Sequence, residues 1–287
     1  MNKELAYQKK SFYEMFDEAQ KKAAHEYAIE YANFLDSAKT EREAVNYAIT
    51  HAKAHGFVPY SFGMKLNVGG KYYFNNRGKS VFLFTLGKES LENGFRISAA
   101  HIDAPRLDLK PCPLYEDGGM GFLKTHYYGG IRKYQWVTVP LALHGVVVKS
   151  DGSSIDITVG EDESDPIFYI NDLLPHLGAD QSQKPLGSAI SGETLNILIG
   201  GLPYDDKEVS DKIKLTALSI LNEKYGVTEE DFISAELSLV PAFKARDIGF
   251  DRALIGAYGH DDRVCAYTAL TAAIDNKDSE HTILTVL

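Results

Sequence analysis

The sequence contains few cysteines: only Cys112 and Cys265 occur among its 287 residues. Two cysteines cannot form the disulfide framework of a small secreted domain, so we expect a reducing compartment. The N-terminal segment has no apolar core of the kind found in signal peptides, and no run approaches the ~18 apolar residues of a membrane-spanning helix. The sequence therefore predicts a cytoplasmic protein with no membrane partner.

Basic residues are also in the minority. The chain has 30 Lys and Arg against 40 Asp and Glu, which gives a formal net charge of −10. Binding to nucleic acid phosphates requires clustered positive charge, so we expect no nucleic acid partner. Hydrophobic residues make up 44% and charged residues 24%, a balance typical of a globular chain with one large or two smaller domains.

The spacing of apolar residues predicts helices near both ends of the chain and strands between them. A capping box formed by Thr40 and Glu43 marks the start of the second helix. The predicted helices cover 11–36, 40–56, 210–225 and 262–274. Runs rich in β-branched and aromatic residues predict strands over 71–74, 81–86, 95–100, 137–149, 155–159, 235–240 and 282–287. We interpret this order as an α/β domain that is interrupted by a β-rich insertion at roughly 110–245.

Two short motifs carry little functional signal. Gly78-Lys79-Ser80 is similar to the end of a phosphate-binding loop, but Tyr73 occupies the position where that loop needs its first glycine. His51 and His55 have the i, i+4 spacing that can bind one metal ion on a helix. Since Ala52 stands where a zincin motif has glutamate, we interpret the two histidines as part of a solvated helix face.

His101 and Asp103 form a sharper pattern. They follow the apolar strand predicted over 95–100, and open α/β sheets place their ligand sites at the carboxyl ends of strands. Side chains two residues apart on a strand point to the same side, so the two groups can cooperate. The imidazole could bind a metal ion while the carboxylate fixes its tautomer. The alternative is an ordinary hydrogen-bonded histidine near a turn.

Asp261 and Asp262 stand where a loop leads into the helix predicted over 262–274. Aspartate is common at the start of a helix, where it caps free N–H groups, so a structural role is one interpretation. The functional interpretation is a carboxylate shared by two divalent cations ~3.5–4 Å apart. Carboxylate and imidazole ligands together suit Zn²⁺, Mn²⁺ or Co²⁺.

Taken together, these segments resemble the aspartyl aminopeptidase family of dinuclear zinc peptidases. Their order and separation along the chain are more specific than any one motif. The segments that carry the resemblance are Gly69–Phe74, Ser98–Pro105, Tyr128–Gly130, Asp172–Leu177, Gly192–Asn196 and Asp261–Arg263.

The resemblance implies a fold and an assembly. The family fold is a three-layer αβα arrangement, with a mostly parallel sheet between helices and an inserted β-rich dimerisation domain. On this sequence the catalytic domain would be discontinuous, formed by 1–109 and 246–287, and the insertion would cover 110–245. We expect self-association as a homodimer and further assembly into a dodecamer.

The resemblance also implies roles for individual residues. His101 would bind one metal ion, and Asp103 would orient His101. Asp261 would bridge two cations, and the peptide bond between Asp261 and Asp262 would be cis. Zinc is the expected metal, with cobalt or manganese as alternatives. His176 would be presented across the dimer interface, where it would stabilise the oxyanion of the tetrahedral intermediate.

The implied function is a metal-dependent aminopeptidase that removes N-terminal residues from peptides by metal-activated water. The family prefers acidic N-terminal residues. No arginine or lysine of a cationic specificity pocket is identified in this sequence, so a preference for neutral residues stays an alternative.

Residues 282–287 resemble a strand of the family, and the sequence departs from the family after this strand. In the family, this strand runs into two glutamates, the general base and a metal ligand, and a further carboxylate ligand and a histidine follow later. None of these occurs here. We therefore expect the chain to be a truncation that is inactive alone. The alternative from another class is a non-catalytic assembly or scaffold subunit.

Overall fold

The computed structural model of the protein describes residues 5–206, 208–276 and 280–287. Within these ranges the helices are α1 (Phe12–Met15), α2 (Glu18–Ser37), α3 (Glu41–Ala54), α4 (Ala179–Ser182), α5 (Leu186–Ala189), α6 (Lys212–Tyr225) and α7 (His260–Asp275). The strands are β1 (Val58–Pro59), β2 (Lys71–Asn76), β3 (Ser80–Thr85), β4 (Phe95–Ala99), β5 (Arg106–Asp117), β6 (Met120–Tyr128), β7 (Leu141–Val148), β8 (Ser154–Val159), β9 (Ile197–Gly200), β10 (Ala235–Pro241), β11 (Arg246–Ile248), β12 (Leu254–Gly256) and β13 (Thr282–Val286). No helix in this part of the chain is both long and apolar enough to span a bilayer.

The first sheet combines strands from both ends of the chain in the order β1-β2-β3-β13-β4. The pairs β1–β2 and β13–β4 are parallel, whereas β2–β3 and β13–β3 are antiparallel. The sheet is therefore mixed in the described residues, and the expectation of a mostly parallel sheet does not hold there. The antiparallel pairs arise because the short turn at Arg77 and Gly78, both with positive φ, joins β2 directly to β3 as a hairpin.

Helices α2, α3 and α7 pack with this sheet around one hydrophobic core. Strand β3 alternates between partly exposed and buried residues, so Val81 and Leu83 point into the core while Phe82 and Phe84 lie on the opposite face. The predicted capping box at Thr40 is present, since the backbone N–H of Thr40 donates to Glu43 and that of Glu43 donates back to Thr40. Each of these bonds satisfies a donor that the helix itself leaves free.

The helix predicted over 11–36 is interrupted. Residues Phe16 and Asp17 separate α1 from α2, because the side chain of Asp17 accepts from the backbone N–H of Gln20 and caps a new helix. The strand predicted over 95–100 ends at Ala99, so His101 and Asp103 lie after the strand and not on it.

The second sheet comes from the middle of the chain, in the order β8-β7-β10-β5-β6-β9, and its strand pairs are antiparallel. It has its own hydrophobic core, to which strands β5–β10 and helix α6 contribute. Because these strands lie between β4 and β13 in sequence, the predicted α/β class with a β-rich insertion is confirmed. The domain boundaries at 109/110 and 245/246 stay a prediction; strand β5 already begins at Arg106.

A partly buried network of charges joins the helices of the first core to the second sheet. His144 on β7 is 3% exposed, and its Nδ1 lies 2.7 Å from Glu43 Oε1 and its Nε2 3.0 Å from Glu161 Oε1. The Nζ of Lys39 donates to the same Glu161 oxygen at 2.6 Å. Lys244 donates to the other oxygen of Glu161 at 2.7 Å. Since carboxylates flank both ring nitrogens, His144 is held as an imidazolium.

This network makes the stability of the fold depend on pH. Burial alone lowers the pKa of His144, but the bonds to Glu161 and Glu43 outweigh it, so the pKa is raised above 6.5. Its stabilisation is complete below that pH and is lost as the pH rises through the folded-state pKa. Burial raises the pKa of Glu161, but its three hydrogen-bonding partners lower it from 4.5 to about 2. The stabilisation from ionised Glu161 is lost as the pH falls from 4.5 towards 2. The contributions of His144 and Glu161 to the free energy of unfolding are therefore both complete between pH 4.5 and 6.5.

We predict that His144→Gln lowers the free energy of unfolding at pH 6 by about 3 kcal/mol, because the partly buried carboxylates of Glu43 and Glu161 lose the buried cation between them. Urea denaturation measures this change, and the gap to the wild type should narrow as the pH rises, because folded His144 loses its proton and with it the attraction to Glu43 and Glu161. Glu26→Gln, which removes the exposed Lys22–Glu26 pair, serves as the control. It should change stability by less than about 0.5 kcal/mol. Wild-type stability of His144→Gln at pH 6 would contradict the role given to the network.

Candidate metal centre

Two segments that are distant in sequence converge at the carboxyl end of β4. One is the loop of residues 100–105, and the other is the start of α7. In the loop, Ile102 and Ala104 are buried, at 5% and 2% exposure. These two side chains anchor the loop in the protein, so His101 and Asp103, which alternate with them along the chain, are presented outward on the same side.

A chain of hydrogen bonds orients His101. Its Nδ1 lies 3.2 Å from both the carbonyl oxygen and the Oδ1 of Asp103. The second carboxylate oxygen, Oδ2, accepts a bond of 2.6 Å from the hydroxyl of Tyr128, at the end of β6. Because the Nδ1–H donates to Asp103, the lone pair of the neutral imidazole is on Nε2.

The Nε2 of His101 faces Asp261. It lies 3.4 Å from Asp261 Oδ1, and the two side chains are 53% and 94% exposed. Both donor atoms are therefore open to the same space. The structure thus brings His101, Asp103 and Asp261 together, as the sequence hypothesis requires.

The surroundings shift the proton affinities of the pair. Partial burial works to lower the pKa of His101, but the bond to the Asp103 carbonyl and the negative charge of Asp103 outweigh it and raise that pKa. Burial likewise works to raise the pKa of Asp103, but the hydroxyl of Tyr128 and the imidazole lower it. Asp103 is accordingly an anion at neutral pH, which makes the imidazole more basic and a better ligand.

The peptide bond between Asp261 and Asp262 is cis, as the resemblance implied. Neither residue has helical backbone angles, so regular helix begins after them. The two side chains have different partners. Asp261 faces His101, whereas Asp262 lies beside Cys265 and raises the pKa of its thiol.

An imidazole nitrogen and a carboxylate oxygen are donors that Zn²⁺ takes in proteins. His101 Nε2 and Asp261 Oδ1 therefore fit zinc as part of a ligand set. Zinc sites use three or four protein ligands. In residues 5–206, 208–276 and 280–287, no group of three or more His, Cys, Asp or Glu is placed to hold a metal ion.

The remaining histidines of the sequence hypotheses lie elsewhere. His176 is in the exposed segment 171–177, and the described contacts among His101, Asp103 and Asp261 do not include it. The rings of His51 and His55 are tilted by 40° with their centroids 5.1 Å apart, and His55 Nδ1 bonds the carbonyl of His51 at 2.8 Å. These contacts agree with the interpretation of a helix face.

Sequence reasoning missed the residues that hold the site in place. In the sequence hypothesis Tyr128 has no role beyond its place in the segment Tyr128–Gly130, and Tyr258 and Arg263 have none. The Tyr258 hydroxyl donates to the carbonyl of Pro105 at 2.8 Å, and Arg263 bonds the carbonyl of Ile102. A signal was available in the spacing, since Arg263 falls on the same face of the helix as the apolar residues Tyr267, Leu270 and Ile274.

Comparison with known proteins identifies the class. Residues 34–286 match the family described as "Aminopeptidase I zinc metalloprotease (M18)". The match covers most of the chain, and the chain therefore belongs to this family of zinc metalloproteases.

Individual relatives agree with this assignment. A Clostridium acetobutylicum protein named "Probable M18 family aminopeptidase 1" is 48% identical over 291 residues, which cover 100% of this chain and 63% of the relative. The structure of the Thermotoga maritima M18 aminopeptidase superposes with a TM-score of 0.91 at 42% identity, covering 98% of this chain and 61% of that one. The S. cerevisiae mApe1 dodecamer, at 22% identity and a TM-score of 0.68, covers 91% and 59% and shares the fold. The chain thus spans less than two thirds of the length of these proteins.

We predict that Asp103→Asn lowers the pKa of His101, because the variant removes the negative charge and the accepting carboxylate oxygen beside Nδ1. The titration of the His101 ring protons, followed by NMR in chelator-treated protein, measures the change. His51 provides an internal control, since its pKa is lowered by burial and by His55 and should stay the same. An unchanged titration of His101 would show that Asp103 does not raise the pKa of its imidazole.

Proposed function

We propose that this chain contributes His101 and Asp261 to the metal centre of a zinc-dependent aminopeptidase. The supporting observation is the 3.4 Å approach of His101 Nε2 to Asp261 Oδ1, two exposed donors from distant segments. Membership of a zinc metalloprotease family supports the choice of metal. The reaction is the removal of N-terminal residues from peptides by water.

Each residue of the site has a separate task in this proposal. His101 would hold a cation through Nε2, because Nδ1 is committed to Asp103. Asp103 keeps the ring in one tautomer and one orientation, and Tyr128 keeps Asp103 in place. Asp261 has two carboxylate oxygens, so it could bridge two cations, for which zinc is the first choice and cobalt or manganese the alternatives.

Bound zinc would supply a water of lowered pKa and would polarise the peptide carbonyl. The exposure of His101 and Asp261 leaves room beside them for a peptide. We propose acidic N-terminal residues as the preferred substrates, which rests on the resemblance of the motifs alone. The rates of hydrolysis of aspartyl, glutamyl and leucyl p-nitroanilides distinguish a preference for acidic N-terminal residues from a preference for neutral ones.

We further propose that the β-rich insertion, assigned to 110–245, mediates a homodimer and that His176 acts in the active site of the partner. Support comes from the segment around His176, where Leu173, Leu174 and Leu177 are 55%, 53% and 67% exposed. Exposed apolar side chains that are contiguous in one segment are typical of an interaction surface. Because mApe1 is a dodecamer, we also propose that the dimers of this protein assemble further.

For protein expressed from its complete reading frame, we predict that His101→Ala and Asp261→Ala each abolish aminopeptidase activity and lower the zinc content. The reason is the loss of one donor from a small ligand set. Activity and zinc by mass spectrometry are measured on the same samples, which also tests for two zinc ions per chain. His51→Ala, on a helix face away from the site, is the matched control and should leave both unchanged. Full zinc and normal turnover in Asp261→Ala would refute the bridging role.

We predict that His176→Ala loses kcat but retains zinc, since its proposed task is oxyanion stabilisation and not ligation. Mixing resolves whether the histidine acts on its own subunit. When His176→Ala and His101→Ala chains are reassembled at equal amounts, roughly a quarter of wild-type activity should return, because half of random pairs are mixed and each contains one complete site. Activity that stays at background in proven mixed oligomers would mean that His176 does not act across the interface.

A further inference from the structure

Arg263 is a fully buried cation beside the candidate metal centre. It follows Asp261 and Asp262 in the first turn of α7 and has 0% exposure. Burying a charged group is costly unless hydrogen bonds replace its water. The acceptors that Arg263 uses therefore show which parts of the protein it holds together.

The guanidinium bonds two backbone carbonyls from separate segments. Its Nε donates to the carbonyl of Ile102 at 3.2 Å, and its Nη2 donates to the carbonyl of Lys39, between α2 and α3, at 2.8 Å. Ile102 is the residue between His101 and Asp103. Arg263 therefore connects the loop that presents His101 to the helix that begins beside Asp261.

Two neighbours keep the guanidinium in this position. Its central carbon lies 5.5 Å from the ring centre of Tyr258, whose hydroxyl binds the same loop at Pro105. Gly259 has a φ of 86°, and a Cβ at this residue would collide with Nη1 of Arg263. The glycine thus provides both the turn into α7 and the space for the guanidinium.

We propose that Arg263 is a positioning residue of the metal centre. The planar guanidinium fixes the loop of residues 100–105 against the start of α7, and this fixes His101 Nε2 opposite Asp261 Oδ1. The inference rests on the proposed function, because it concerns the zinc affinity of the same pair. Lysine cannot replace the guanidinium, since an ammonium group is a point charge without two donors in one plane.

The test compares Arg263→Lys and Arg263→Met with the wild type, each expressed from the complete reading frame. We expect zinc affinity, measured by competition with a chelator, to fall about 10- to 100-fold in both variants, the usual effect of losing an outer support of a metal ligand. The visible absorption of the cobalt-loaded protein should also change, because the ligand geometry is altered. Circular dichroism identifies the temperature at which all variants are folded.

Leu270→Ala is the matched control, because Leu270 is buried in the same helix at 1% exposure and belongs to the first core. It should lose stability but keep wild-type zinc affinity and the wild-type cobalt spectrum. If the wild type itself binds no zinc, the proposed function fails and the inference fails with it. If the wild type binds zinc and Arg263→Lys binds it within twofold, or if Leu270→Ala loses as much affinity, only the inference is overturned. If Arg263→Met does not fold, Arg263→Lys decides, since it keeps the charge.

Discussion

The placement of β13 between β3 and β4 is the constraint on which the rest of the structure depends. The chain leaves the first sheet after β4, forms the whole second sheet, and returns to pair β13 with both β3 and β4. Because α7 directly precedes β13, this pairing also determines where the start of α7 lies. The loop after β4 carries His101, and the start of α7 carries Asp261. The strand pairing thus brings together two donors that no local interaction could join.

The first turn of α3 connects the two sheets through charge. The carboxylate of Glu43 accepts from the backbone N–H of Thr40 with one oxygen and contacts His144 of the second sheet with the other. Glu41 contacts Lys79 of the β2–β3 hairpin and Arg106 at the start of β5. Carboxylates are favourable at a helix N-terminus because of the free N–H groups and the dipole. The same residues that start the helix therefore also fix the position of the inserted sheet.

The sequence predicted local elements well and long-range relations only in part. The capping box at Thr40, the β-rich insertion and strands β2, β3, β4, β7, β8, β10 and β13 follow from residue type and spacing, which act over a few neighbours. Strands β1, β5, β6 and β9 were not predicted. The break at Phe16 and Asp17 was missed, because the apolar spacing continues through it and only the Asp17 cap interrupts the helix. His101, Asp103 and Asp261 were found because their side chains suit metal binding. Tyr128 and Arg263 were missed because their roles depend on which distant backbone or carboxylate they contact.

The burial of Arg263 requires a physical explanation, because a hydrophobic side chain could fill the same volume without the cost of desolvation. Burial lowers the pKa of Arg263, which shows that the charged form is disfavoured there. An aliphatic residue would, however, leave the carbonyl oxygens of Ile102 and Lys39 without these donors, and it would not fix the distance between them. A guanidinium presents its donors in one rigid plane, so it specifies a single arrangement of the two backbone segments. The main effect of burying Arg263 is therefore to fix one geometry of the site, and its contribution to the overall stability of the fold is smaller.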